Sequence, residues 1–224
     1  MSVRKYVLGI TLLVSACLIL WGFRGGAGSL SVSSPEDYSD QKLVALTFDD
    51  GPHPVYTERL LDGLKERNVK ATFFLIGKSA DKYPDLVKRM AEEGHLIGNH
   101  TMDHVQLNHQ TYDQALEQIR QSNQVITKIT GQTPRYIRPP FGEWSRELEE
   151  EVDMTAVLWD VDPVDWKVKN TETVVKRILK NTGEGDIILL HDVYGTSVDA
   201  ALEIVDRMRA EGYEFVTVDE IILD

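Results

Sequence analysis

Cysteine is nearly absent. The 224 residues contain one, Cys17, and it lies in an N-terminal apolar stretch. The chain beyond that stretch therefore forms no disulfide and does no thiol chemistry. Clustered positive charge is lacking too: 24 Lys and Arg stand against 36 Asp and Glu, for a formal net charge of −12. Residues 1–29 hold Arg4, Lys5 and Arg24 and no acid, so residues 30–224 carry −15. A surface that acidic argues against nucleic acid and anionic lipid as partners, since both are held by grouped Lys and Arg. It is compatible with a neutral or cationic polymer. There is no internal repeat and no low-complexity tract beyond a short linker. At 42% hydrophobic and 27% charged, the rest has the composition and length of one globular domain.

The N-terminus is distinct. Met1–Lys5 is short and basic, and Tyr6–Phe23 is an uncharged stretch closed by Arg24. Residues 1–29 read as a signal-anchor or transmembrane segment, at the lower edge of bilayer-spanning length and longer than most secretory apolar cores. The basic residues in front favour a cytoplasmic N-terminus, so the rest of the chain is expected to be membrane-anchored and extracytoplasmic. Gly25, Gly26, Gly28 and a polar linker over residues 30–41 uncouple it from a catalytic domain over 42–224. Val14-Ser15-Ala16-Cys17 resembles a lipoprotein processing box. Lipidation at Cys17, or secretion after cleavage, is the alternative, although Leu18–Phe23 stays apolar where a polar tether is expected.

Beyond the linker, short β-like runs alternate with helical patterns. Strands are expected at Leu43–Phe48, Ala71–Ile76, His95–Gly98, Tyr136–Arg138, Thr155–Trp159, Asp186–Leu190 and Glu214–Thr217. Several are continuous apolar runs, as strands covered on both faces must be. Helices are expected at Thr57–Arg67, Pro84–Glu93, Thr111–Thr130, Thr171–Asn181 and Val198–Glu211. Seven strands alternating with helices indicate an α/β fold with a parallel sheet, closed as a barrel or left open.

In such folds reactive groups gather at the C-terminal ends of the strands. Five segments rich in Asp, His and Arg fall there: Asp49-Asp50, Asn99–His104, Arg138–Gly142, Asp160–Trp166 and His191-Asp192. Neighbouring residues at a strand end point in different directions, so Asp49 and Asp50 can take different tasks, one reaching a metal and the other free as a base. His100 and His104, four apart, can face one point, and two imidazoles with a carboxylate suit zinc or a related divalent ion. No Glu directly succeeds the first histidine, so the zinc-protease pattern is not met. Arg138 can hold an aspartate ionised and oriented. Pro139 and Pro140 stiffen a loop in which the Phe141 N–H can serve as an oxyanion donor. His191 suits a general acid for an amine leaving group, with Asp165 raising its pKa. Trp159, Trp166 and Leu189 can line a small apolar pocket, although core packing is the favoured reading of Trp159.

With these segments in hand, the chain resembles the polysaccharide deacetylases of the NodB-homology type, carbohydrate esterase family 4. Five motif segments occur in the family's order: Thr47–Pro52, His100–His104, Arg138–Gly142, Asp162–Trp166 and Leu189–His191. The resemblance covers about residues 42–222. It implies a single-domain distorted (β/α)7-type barrel and one divalent metal ion, zinc first, with cobalt, nickel or manganese able to serve. It further implies Asp49 as base and Asp50, His100 and His104 as metal ligands. Arg138 orients the base, His191 acts as acid with Asp165, Phe141 contributes its backbone to the oxyanion, and Trp166 and Leu189 flank the acetyl methyl group. The implied reaction is hydrolysis of N-acetyl groups on N-acetylglucosamine in peptidoglycan. Chitooligosaccharide deacetylation and acetylxylan esterase action are alternatives. A glycoside hydrolase also needs two carboxylates, but has no use for His100 and His104.

Overall fold

A strand buried on both faces must read as an unbroken apolar run, and β1 (Lys42–Asp49) is buried from Val44 to its end. It lies in the middle of a sheet in which every pairing is parallel, bonded to β2 (Thr72–Leu75), β6 (Ile187–His191) and β7 (Tyr213–Val216). Beyond β2 come β3 (Leu96–Asn99), β4 (Tyr136–Ile137) and β5 (Thr155–Ala156). The computed structural model describes residues 42–222, so the expected anchor, Cys17 and the linker lie outside the described residues. Among those described, no helix is long and apolar enough to cross a membrane.

The sheet curls until its ends meet. Just past β5, Val161 makes a parallel bridge to Ile188 of β6, with Leu189 donating its N–H to the Val161 carbonyl at 3.0 Å. This is the expected distorted barrel, and the seam explains its irregularity. The sequence pattern carries the fifth strand to Trp159, but regular pairing stops at Ala156. The carbonyls of Val157 and Leu158 accept hydrogen bonds from the Arg138 guanidinium instead of from a neighbouring strand.

Alternation divides the side chains. Leu46 and Phe48 of β1, Phe73 and Leu75 of β2, and Ile188 and Leu190 of β6 face outward into the main core. There they meet Leu60, Leu61 and Leu64 of α1 (Tyr56–Glu66), Val87 and Met90 of α3 (Pro84–Glu92), and Ile126 of α4 (Tyr112–Thr130). Val174 and Ile178 of α7 (Thr171–Asn181) and Ile204 and Val205 of α8 (Gly195–Ala210) complete this layer. Each such side chain, fully buried, contributes roughly 1.5–3 kcal/mol. Ala45, Phe74, Tyr136, Val157 and Ile187 form a separate, smaller cluster. By the same alternation, Thr47, Asp49, Leu189 and His191 share the face of Ala45 and Ile187 and rise toward the C-terminal rim.

The helices begin and end where local chemistry dictates. Thr111 and Gln114 form a reciprocal capping box ahead of α4, and Gly131 closes it in the left-handed conformation. Helix α8 starts at Gly195, one turn before its first apolar residue, Val198, from which a pattern-based reading sets out. Four short helices carry too little periodicity to be read from sequence: α2 (Gly77–Lys82), α5 (Arg146–Glu151), α6 (Asp165–Val168) and α9 (Val218–Ile222).

Candidate active site

The rim of the barrel encloses a cavity of about 410 Å³ lined by Asp49, Asp50, His100, His104, Phe141, Trp166, Leu189 and His191, among others. Arg138 and Asp165, fully buried, stand directly behind it. All ten residues singled out in the sequence are therefore brought together, from five strand ends. Trp159 corrects one expectation: it is not core packing but a partly exposed wall of this cavity.

Asp49 closes β1 and points inward. Its Oδ1 accepts from Nη1 of Arg138 at 2.9 Å, and the same nitrogen donates to Thr47 Oγ1 at 2.7 Å. The guanidinium plane lies over the Phe74 ring, 4.3 Å from its centroid. Burial presses the Arg138 pKa down, and the Asp49 charge pulls it back up. With its remaining donors on the Val157 and Leu158 carbonyls, Arg138 is fixed at several points, and so is the carboxylate it carries.

Asp50 faces the two histidines. Its Oδ1 lies 3.5 Å from Nε2 of His100 and 3.4 Å from Nε2 of His104. One ligand atom from each of the three residues falls within 4.8 Å of the other two. The His100 tautomer is set by its other nitrogen: Nδ1 is 2.6 Å from the Arg138 carbonyl, an acceptor only, so Nδ1 carries the hydrogen. In the neutral ring the Nε2 lone pair is thereby turned toward Asp50, the arrangement that orients metal-ligating imidazoles. Burial first, then the neighbouring His100, lowers the His104 pKa and favours the neutral, ligating form. Asp50 Oδ1 is buried and has no hydrogen-bond partner. An orphaned carboxylate oxygen facing two imidazole nitrogens fits a divalent cation, and three protein donors leave coordination positions open, as catalytic sites require.

His191 is held from behind. Asp165 Oδ1 is 2.8 Å from the ring Nδ1, and Oδ2 accepts the His191 main-chain N–H at 2.9 Å. Burial alone would lower the pKa of this imidazole. The hydrogen bond and charge of Asp165, with Asp49 and Asp50 beyond, outweigh it and raise the pKa to about 9.

Backbone strain is concentrated here. Asp50, Thr101, His104, Phe141 and Val164 all have positive φ, between 55° and 77°. Each such non-glycine residue costs on the order of 1–3 kcal/mol, sustained only where the surroundings over-determine it. Some of that support is visible: Asn99 Oδ1 accepts the Thr101 N–H at 2.6 Å, while the carbonyls of Thr101 and Met102 accept from Gly77 and Lys78 of α2.

Three further residues belong to the site and have no role that the sequence pattern assigns. Asp192 is fully buried; the Thr57 hydroxyl donates to it, and its carboxyl packs so tightly on Gly51 that a Cβ there would lie 2.4 Å from both oxygens. Burial raises its pKa to about 7. Thr57 in turn accepts the His53 N–H at 2.7 Å, tying the Asp50 turn to the end of β6. Tyr194, three residues beyond His191, lines the cavity. Its signal is an aromatic residue on the loop just past a functional strand end.

Comparison with known proteins agrees with this geometry. The pattern of the polysaccharide deacetylase family matches residues 36–158. Peptidoglycan-N-acetylmuramic acid deacetylase PdaC of Bacillus subtilis is 44% identical over 182 residues, 81% of this chain and 39% of the relative. Its solved structure superposes with a TM-score of 0.80, covering 81% of this chain and 90% of that one. Peptidoglycan-N-acetylglucosamine deacetylase PgdA of Listeria monocytogenes is 40% identical over 193 residues, 85% of this chain and 41% of the relative. A family 4 acetyl xylan esterase from Clostridium thermocellum, solved in complex with a cobalt ion, is 38% identical with a TM-score of 0.77, covering 81% and 91% of the two chains. The chain belongs to the polysaccharide deacetylase family. It spans about two fifths of the length of the two curated relatives.

Proposed function

We propose that the protein removes N-acetyl groups from N-acetylglucosamine residues of peptidoglycan, releasing acetate and leaving a free amine. The observation that carries this reading is the division of the adjacent aspartates: Asp49 is tied to Arg138 and reaches only His100, at 3.7 Å, while Asp50 Oδ1 lies 3.5 and 3.4 Å from His100 and His104. Asp50, His100 and His104 would hold the divalent ion, and two nitrogens with one carboxylate favour zinc, with cobalt, nickel or manganese able to serve. Such an ion supplies polarisation of the acetamide carbonyl and a lowered pKa for the attacking water.

The residues of the chain do the rest. Asp49, held by Arg138, takes a proton from the water as it attacks the carbonyl carbon. The Phe141 N–H, on a loop stiffened by Pro139 and Pro140, donates to the oxygen that becomes negative. His191, protonated at neutral pH, gives its proton to the departing sugar nitrogen as the C–N bond breaks. Asp165 holds the imidazolium in place, and Trp166 and Leu189 flank the acetyl methyl group.

Peptidoglycan is favoured because both curated relatives named above are peptidoglycan deacetylases. The two relatives divide between the sugars, PdaC named for N-acetylmuramic acid and PgdA for N-acetylglucosamine, and the resemblance of the segment Arg138–Glu143 to N-acetylglucosamine-acting members is the ground for preferring that sugar. The uncharged stretch Tyr6–Phe23 supports a membrane tether that would hold the domain against the wall. Acetate release from peptidoglycan, chitooligosaccharides and acetylxylan, with and without a chelator, tests the reading. Peptidoglycan is expected to be the best substrate, with release abolished by chelator; a preference for acetylxylan, or indifference to chelator, refutes it.

A further inference from the structure

A polymer deacetylated at one sugar must extend beyond the catalytic cavity, and the hollows around it differ in charge. Beyond Phe141 lies a hollow of about 300 Å³ lined by Glu143, Trp144 and neighbours, with no Lys or Arg. Beyond Tyr194 lies an open shelf of about 400 Å³ walled by Tyr56, Arg59, Lys169, Asp199 and Tyr194 itself. Tyr194 lines both the catalytic cavity and this shelf, so the shelf adjoins the cavity.

The two cations on the shelf are not equivalent. Arg59 is already committed, to Asp199 at 2.9 Å and to the Gly195 carbonyl at 2.8 Å. Lys169 makes no ion pair with a described residue, and its Nζ lies over the Tyr194 ring, 4.7 Å from the centroid. Its backbone is left-handed, φ 47°, at the end of α6, four residues after the Asp165 that holds His191. The Lys169 N–H donates to the Asp165 carbonyl at 3.0 Å, which fixes the shelf relative to the catalytic acid. In a chain whose residues 30–224 carry −15, an acidic polymer is repelled at long range, so an ammonium without an ion-pair partner beside the cavity favours negative charge on that side.

We propose that this shelf is a binding subsite for a carboxylate-bearing substituent on the sugar next to the one being deacetylated, with Lys169 pairing the carboxylate and Tyr194 packing against the sugar face. The proposal rests on the glycan-deacetylase reading and sharpens it, because it gives the groove a direction. In peptidoglycan the carboxylate has two mutually exclusive sources: the lactyl group where no peptide is attached, and the peptide itself where attachment has turned the lactyl carboxyl into an amide.

The test compares three tetrasaccharides: chitotetraose, an alternating glycan tetrasaccharide with free lactyl carboxyls, and the same glycan with its peptides attached. Both kcat/KM for acetate release and binding by calorimetry are measured for the unmodified protein, Lys169→Gln and Lys169→Arg. The preference for an acidic over the neutral tetrasaccharide is expected to fall about 3- to 5-fold in Lys169→Gln, to persist in Lys169→Arg, and to shrink with added salt. Whichever acidic substrate shows this identifies the source of the carboxylate. An acidic-to-neutral ratio that is the same in Lys169→Gln overturns the subsite and leaves the deacetylase reading intact. Lys169-dependent binding without acetate release from any tetrasaccharide supports the subsite and overturns the deacetylase reading.

Discussion

His191 and Asp165 are joined twice, through the imidazole Nδ1 at 2.8 Å and through the His191 main-chain N–H at 2.9 Å. One carboxylate thus fixes both the end of the strand and the ring that leaves it. The His191 pKa of about 9 is the electrostatic consequence. A general acid must be protonated to act, so activity should hold up to about pH 9 and fall above it. In Asp165→Asn the charge is gone while the shape remains, and the alkaline limb should move toward the ordinary histidine value of 6.5. A pH–rate profile of both proteins checks this; an unmoved limb would show that His191 is not the titrating acid.

Arg138 and Asp49 form an ion pair in which neither side chain reaches solvent appreciably, at 0% and 4% exposure. Desolvation makes such a pair weak evidence for net stability, but breaking it leaves a buried charge alone. Arg138→Met should therefore destabilise by about 3–5 kcal/mol. It should lose activity as well, because Asp49 is no longer held. Urea denaturation measures the first effect. A change under about 1 kcal/mol would mean that water reaches Asp49 and that the site is looser than these contacts describe.

His95, at the opposite end of the barrel from the site, should contribute a separate acid sensitivity. Burial first, then the charge of Lys70, lowers its pKa to about 4, and its Nδ1 accepts the Ala71 N–H at 3.2 Å. At His95 the folded state thus binds fewer protons than the unfolded state between pH 4 and 6.5, whereas at Asp192, raised to about 7, it binds more. The stabilisation is present above pH 6.5 and is lost as pH falls through that window, by about 3 kcal/mol in total. Relative to the unmodified protein, His95→Gln should lose about 3 kcal/mol less stability on acidification through this window. An equally steep curve in the variant would assign the acid sensitivity to other groups.

Much of this architecture is legible in the sequence because the signal is strong. Ile187–Leu190 can only be a strand covered on both faces, and Thr171–Asn181 carries its own cap in Asn170, whose side chain accepts the Thr173 N–H at 2.9 Å. That these ten residues meet around one cavity is legible because reactive side chains, with a few apolar neighbours, recur at strand ends. The features that escape are set by tertiary contacts. Helix α6 is four residues long and is flanked by left-handed Val164 and Lys169, a conformation that a β-branched residue avoids and no local pattern announces. The early end of β5 depends on Arg138, which is distant in sequence and captures the Val157 and Leu158 carbonyls. Trp159 reads as core because large aromatics usually are, yet the same diversion brings it to the cavity wall. Asp192 is visible beside His191, but only the fold shows it packed against Gly51 under the Asp50 turn.

The division of work between Asp49 and Asp50 is tested most directly by measuring metal affinity and acetate release side by side in Asp49→Asn and Asp50→Asn. Asp49→Asn should bind zinc nearly as tightly as the unmodified protein while losing roughly 10²- to 10⁴-fold in kcat, as loss of a general base does. Asp50→Asn should lose metal affinity by at least about 10-fold and lose activity with it. Full activity in Asp49→Asn, or equal loss of metal in the two variants, would contradict the assignment of proton transfer to one aspartate and metal binding to the other.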